Sequence, residues 1–244
     1  MASFPVLLYF MAVFFPLLSA RKQESSFDAL STTQKNIQEE IVNKHNELRR
    51  SVFPTASNML KMTWSNEAAA NAQKWADKCT LSHSPSEQRK ISTSGCGENL
   101  FMSSNADPWS VGIQNWYNEY KSFTYGIGPK TSNAMIGHYT QIAWYSSSVV
   151  GCGVAYCPNQ DLKYYFVCHY CPPGNIQGKI HVPYLSGPPC AACPNNCENG
   201  LCTNSCKYTN VYSNCDSLVK SVGCEHAITK ENCLASCKCK GKIY

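Results

Sequence analysis

Gly137-His138-Tyr139-Thr140-Gln141-Ile142-Ala143-Trp144 sets a histidine inside an apolar and aromatic run. That pattern fits neither a surface loop nor plain core, because a buried imidazole needs a hydrogen-bond partner. The break at Tyr125-Gly126-Ile127-Gly128-Pro129 precedes it, so the run reads as a short helix over about residues 137–145. Its partners must come from elsewhere in the chain.

Two strands follow. Residues 149–156 carry Gly151 and Gly153, which point to a close backbone approach. Residues 163–170 are rich in aromatic and β-branched side chains. Upstream, Asp107-Pro108 offers an N-cap and a first-turn proline. Trp109, Ile113, Trp116, Tyr120 and Phe123 then recur at helical spacing as a core stripe. Glu119 lies at the rim of that stripe, where a partly buried carboxylate wants a partner.

Earlier still, Ser65 caps an Ala-rich helix over residues 66–79 that contains Trp75. His83 follows its end, four residues beyond Cys79. Residues 92–97 read as a loop, with Glu98 beside Cys96 and Gly97. The hydroxyls of Ser31, Thr32 and Thr33 offer a cap to a further helix ending near Pro54, with Ile37, Ile41, His45 and Leu48 on one face. His45 there reads as a hydrogen-bonded core histidine. Residues 21–30 look like a solvated arm. Helices and strands mixed over about 170 residues predict one domain with a sizeable core.

The chain opens with an apolar run over residues 4–18, then Leu18-Ser19-Ala20 and the charged pair Arg21-Lys22. This is the pattern of a cleaved signal peptide, residues 1–20, and it falls short of the roughly 20 apolar residues a membrane span needs. A secreted location makes the 16 cysteines a disulfide framework. The formal net charge of +5 is spread along the chain without a basic block, which excludes nucleic acid as the expected partner. No N-glycosylation sequon occurs.

Composition changes at Gly187-Pro188-Pro189-Cys190. From there to Tyr244 the chain has 10 cysteines in 55 residues and almost no aliphatic clusters. Such a segment folds only if bridges staple it. Cys168-His169-Tyr170-Cys171 and Cys190-Ala191-Ala192-Cys193 both spell CxxC, read here as structural disulfides rather than zinc or redox pairs. His83, Glu98, Glu119 and His138 remain as the candidate chemical set. They suit a divalent metal, Glu-oriented general base work, or a purely structural polar network.

At this point the residues resemble a known family. Residues 137–144, and residues 165–176 from Tyr165 through Cys168, Cys171 and Asn175 to Ile176, look like the two signatures of the CAP superfamily. The tail spacing through Cys206, Cys215, Cys224, Cys233, Cys237 and Cys239 is similar to that of its cysteine-rich secretory proteins, of mammalian type. The resemblance implies an α+β fold: a three-layer α-β-α sandwich over residues 21–189, a disulfide hinge over 190–205, and a small helical module of ion-channel-regulator (ShKT) type over 206–244. It implies the pairs Cys79 with Cys157, Cys96 with Cys171, Cys152 with Cys168, Cys190 with Cys197, Cys193 with Cys202, Cys206 with Cys239, Cys215 with Cys233 and Cys224 with Cys237.

It further implies His83 and His138 as zinc ligands, with Glu98 and Glu119 orienting them, and no organic cofactor. The expected function is non-enzymatic: a secreted regulator of an ion channel or cell-surface receptor, including the sperm or egg surface in reproduction. Alternatives are sterol or lipid carriage through the first domain, with the loop over residues 125–130 as the place to look, and a metal-dependent or serine-type peptidase. The toxin pattern has an adjacent Lys-Tyr pair, and here residues 225–232 contain only Lys230 and no tyrosine.

Overall fold

The computed structural model of the protein describes residues 27–244. The signal-peptide reading of residues 1–20 lies outside the described residues. The first unit is built on a sheet of four strands, β1 (Thr63–Trp64), β2 (Gly97–Ser103), β3 (Val149–Tyr156) and β4 (Tyr164–Cys171), in the order β1-β3-β4-β2. β1 runs parallel to β3, and the other neighbours are antiparallel. Both faces of β4 are covered: Tyr164, Phe166, Cys168 and Tyr170 join one apolar cluster, Tyr165 and Val167 another. Two-sided burial explains why its sequence is a continuous aromatic and apolar run.

Four helices cover the sheet: α1 (Lys35–Arg50), α2 (Asn66–Ala76), α3 (Trp109–Tyr117) and α4 (Gly137–Ile142). α2 lies on one face, where Gly151 and Gly153 permit contact. A Cβ at Gly151 would sit 2.2 Å from the Ala69 nitrogen, and one at Gly153 2.5 Å from the Gln73 Cα. On the other face Ile41, Trp109, Ile113, Trp116, Tyr139 and Ile142 pack with Val150, Val154 and Phe166. The architecture is the α-β-α sandwich of the α+β class.

Several local expectations are corrected. β2 falls partly in what reads as loop, because Gly97, Glu98 and Asn99 are weak strand formers and only pairing with β4 makes them extended. Ser31 and Thr33 bond each other rather than capping α1, whose N-cap is Gln34 without a side-chain bond. α1 stops at Arg50, short of Pro54. Pro108 takes the N-cap place of α3, while the Asp107 carboxylate accepts from Ser103 Oγ. α3 tightens into a 3-10 turn over Asn118–Ser122, so Tyr120 is exposed while Phe123 is buried. The arm is not wholly solvated: Leu30 is buried, and its carbonyl accepts from Trp109 Nε1.

The eight disulfides are the pairs that the resemblance implies, and no described cysteine is free. Residues 190–205 do not hang from the sandwich. Leu201 enters the main core, the Cys202 nitrogen donates to the Met59 carbonyl, and the Lys61 nitrogen donates to the Cys202 carbonyl. The tail beyond holds three short helices, α5 (Cys215–Val222), α6 (Ala227–Asn232) and α7 (Leu234–Lys238). Its apolar cluster is Cys206, Ala235 and Cys239 with Tyr208 and Tyr244, so bridges supply most of its cohesion. Among the described residues no helix is long and apolar enough to cross a membrane.

Candidate metal-binding cleft

The four candidate residues form two His–Glu couples. His83 lies in the segment after α2, which Cys79 ties to Cys157. Its Nδ1 is 2.7 Å from Glu98 Oε1. His138, at the start of α4, sets its Nδ1 2.6 Å from Glu119 Oε1 and stacks on Trp116. The Glu119 side chain comes from the 3-10 turn after α3, and its Oε2 also accepts from the backbone nitrogens of His138 and Tyr139. Ile136, the N-cap, has no side-chain capping bond, so this carboxylate serves the exposed N–H groups of α4 instead.

Glu98 is the more deeply held carboxylate, with a side chain 1% exposed against 59% for His83. Oε1 accepts from His83 Nδ1 and the Ser84 nitrogen, and Oε2 from Ser84 Oγ and His169 Nε2. Arg89 Nη1 stands 3.5 Å from Oε1. Burial alone would raise this carboxyl, but the hydrogen bonds from His169, His83 and Ser84 together outweigh it and hold the group down to about 2.

The two couples are tied through their supports. Asn99, next to Glu98 on β2, donates to the His138 carbonyl at 3.1 Å. A Cβ on Gly97 would lie 2.0 Å from Gln141 Oε1, so glycine is what lets α4 approach β2. Below α4, the buried Arg49 guanidinium donates to the carbonyls of Leu60, Ile142, Trp144, Tyr145 and Ser147. Burial pushes Arg49 down to about 9, still cationic at neutral pH. His45 is a buried core histidine, bonded to the Ile41 carbonyl and the Tyr170 hydroxyl.

The donor set fits zinc. A carboxylate accepts, so in neutral imidazole each Nδ1 carries the proton and each Nε2 keeps its lone pair, the arrangement of a metal ligand with an orienting acid behind it. Among the described residues, no three of the four bring ligand atoms within 4.8 Å of one another. The glutamates are occupied behind the histidines rather than facing a shared ion. Cys190, Cys193 and Cys202 do come that close, but their sulfurs are in disulfides.

Ser84, Arg89, Asn99 and His169 were not legible as site residues. Ser84 adjoins His83, and in the sequence His169 stands out only through the cysteines that flank it.

A family model described as "Cysteine-rich secretory protein family" matches residues 42–170, and one described as "Crisp" matches residues 190–244. The chain belongs to the cysteine-rich secretory protein family. Cysteine-rich secretory protein 2 of Homo sapiens is 58% identical over 100% of both chains. The cysteine-rich venom protein helothermine of Heloderma horridum horridum is 56% identical over 88% of each. The crystal structure of NaASP2 with Zn2+ is 33% identical, with a TM-score of 0.58 over 70% of this chain and 96% of that one. The family's two models thus meet the sandwich and the cysteine-rich tail separately.

Proposed function

We propose that this chain is a secreted, non-enzymatic regulator that modulates ion channels, with calcium-handling channels at the sperm or another reproductive cell surface as the expected targets. The observation that carries this reading is the tail: a compact module of three short helices closed by three bridges, presenting cations. Lys207 and Lys238 both lie over the Tyr208 ring, at 5.2 and 5.0 Å. Of the six tail lysines, only Lys230 has a carboxylate within 4.0 Å among the described residues. This Lys-Tyr-Lys cluster stands outside the Cys224 to Cys233 segment, so the contact differs from simple pore plugging. Family membership and the relationship to a venom protein support the same reading.

Against a serine-type peptidase, Ser84, which adjoins the cleft histidine in sequence, has its hydroxyl proton committed to Glu98 Oε2 in a buried position. Ser84 is therefore bonded to a carboxylate and not to a histidine base of the serine-peptidase kind. The cleft residues are instead suited to zinc, held by His83 and His138 and oriented by Glu98 and Glu119, where a bound ion would supply a fixed charge and a bridge to a partner. The test is to apply the purified full chain to cells carrying calcium-channel currents, alongside a Tyr208→Ala, Lys238→Glu variant. The currents should change with the first and not with the second; equal effects would defeat the tail-directed reading.

A second reading, extracellular sterol or lipid carriage, has an observation of its own. A groove of about 570 Å³ between the ends of α1 and α3 is lined by Leu48, Phe53, Phe123 and three tyrosines on one part and by Lys121, Lys130 and three further polar side chains on the rest, with Phe53 88% exposed. In the loop over residues 125–130, Tyr125 is packed on Tyr184 and only Ile127 is a large exposed apolar side chain. The groove is therefore the better place for a ligand. Retention of labelled cholesterol by the full chain, abolished in Tyr120→Asp, would establish this reading, and no retention would end it.

A further inference from the structure

His169 stands opposite Glu98 in the β2–β4 ladder and opposite Gly151 on its other side. The close approach of α2 at Gly151 covers this face, and His169 is fully buried. Its Nε2 lies 3.0 Å from Glu98 Oε2, while its Nδ1 has no hydrogen-bond partner among the described residues. A buried ring nitrogen without a partner is costly, so the histidine here is expected to gain through its other nitrogen. Here one nitrogen is left bare and the other is committed to the carboxylate.

The two oxygens of Glu98 divide the work. Oε2 is held from inside by His169 and the Ser84 hydroxyl, and Oε1, which also accepts from the Ser84 nitrogen, faces His83. That contact is the one hydrogen bond the His83 ring makes among the described residues, so the ring's direction and tautomer depend on where Oε1 is fixed.

We propose that His169 is a positioning residue for the metal-ligating histidine: through the Glu98 carboxylate it fixes His83 as the Nδ1–H tautomer with Nε2 free to bind. The inference rests on the reading of His83 as a ligand. The unpartnered Nδ1 follows from this role, since only Nε2 reaches the carboxylate.

The experiment compares the full-length protein with His169→Leu, which removes the donor, and His169→Gln, which keeps an N–H at similar reach. Unfolding midpoints show that each variant is folded. Two readouts are taken: the His83 tautomer in zinc-free protein by long-range proton–nitrogen NMR, and zinc affinity by calorimetry. Wild type and His169→Gln should show Nδ1–H at His83. His169→Leu should show mixed tautomers and zinc binding weaker by up to about 10-fold, the low end of what losing a ligand's own partner costs, because His169 acts one step further out through Glu98. If His169→Leu does not fold, His169→Asn, whose amide stops short of the carboxylate, takes its place with the same expectation. A folded Leu or Asn variant with wild-type tautomer and affinity overturns the proposal. Absence of zinc binding in wild type would remove the ligand reading, and the zinc-free tautomer comparison would still decide the role of His169.

Discussion

Arg49 Nη1 donates to the carbonyl of Ile142, the last residue of α4, at 2.7 Å. The same guanidinium donates to the carbonyls of Leu60, Trp144, Tyr145 and Ser147, so one cation on α1 ties the end of the helix that carries His138 to the segments that follow it and to Leu60. The site is thus held from beneath by a residue that touches none of its ligands.

Arg49→Met should therefore destabilise the fold by about 3–5 kcal/mol, because it leaves several buried carbonyls without donors. Arg49→Lys should recover only part of this, since an ammonium cannot span the same fork of acceptors. Chemical unfolding measures both, and a loss below 1 kcal/mol for the Met variant would contradict the argument.

Glu119→Gln should weaken the start of α4 and the orientation of His138 together, as the carboxylate accepts three bonds there. The expected stability loss is about 1.5–3 kcal/mol, and zinc affinity should fall about 10- to 100-fold. Calorimetric titration with zinc at fixed pH checks the second figure.

Acid should act in two windows. His45 is held down to about 4 from 6.5, chiefly by burial, and Glu98 to about 2 from 4.5. Both folded values lie below the unfolded ones, so each contribution is complete above the unfolded value and is lost as pH falls through the folded one. Stability should decline from pH 6.5 to 4 on account of His45, and from 4.5 to 2 on account of Glu98. Denaturation midpoints against pH should lose the upper slope in His45→Gln and the lower one in Glu98→Gln. An unchanged upper slope in His45→Gln would show that another group governs it.

Cys215→Ser with Cys233→Ser opens an 18-residue separation in a module with little apolar core. The change should remove about 3 kcal/mol. Hydrogen exchange should then lose protection over residues 206–244 and keep it in β3 and β4. Equal loss in both units would mean that the tail is integral to the sandwich.

Much of the fold was legible because it follows from local chemistry. The aromatic stripe of α3, the Ser65 cap of α2 and the buried runs of β3 and β4 each carry a periodicity or a residue preference that a sequence displays. β2 was not legible as a strand: its Gly97, Glu98 and Asn99 take extended structure from their neighbour β4. Of the site, His138 and Glu119 stood out as polar groups among aromatics. His169 did not, because its role comes from facing Glu98 across two strands separated by 71 residues.

By itself, the sequence determined the main elements of the sandwich apart from β2, the cysteine-rich tail, the family resemblance and the four candidate residues of the cleft. Tertiary structure alone decided that those four act as two His–Glu couples, that Ser84 and His169 grip one carboxylate while α4 is capped by the other, and that Arg49 supports the whole from α1. The physical reason is the range of the interactions. Periodicity and capping depend on neighbours a few residues away, whereas hydrogen bonds to a buried carboxylate or carbonyl depend on which distant strands and helices the fold brings within 3 Å.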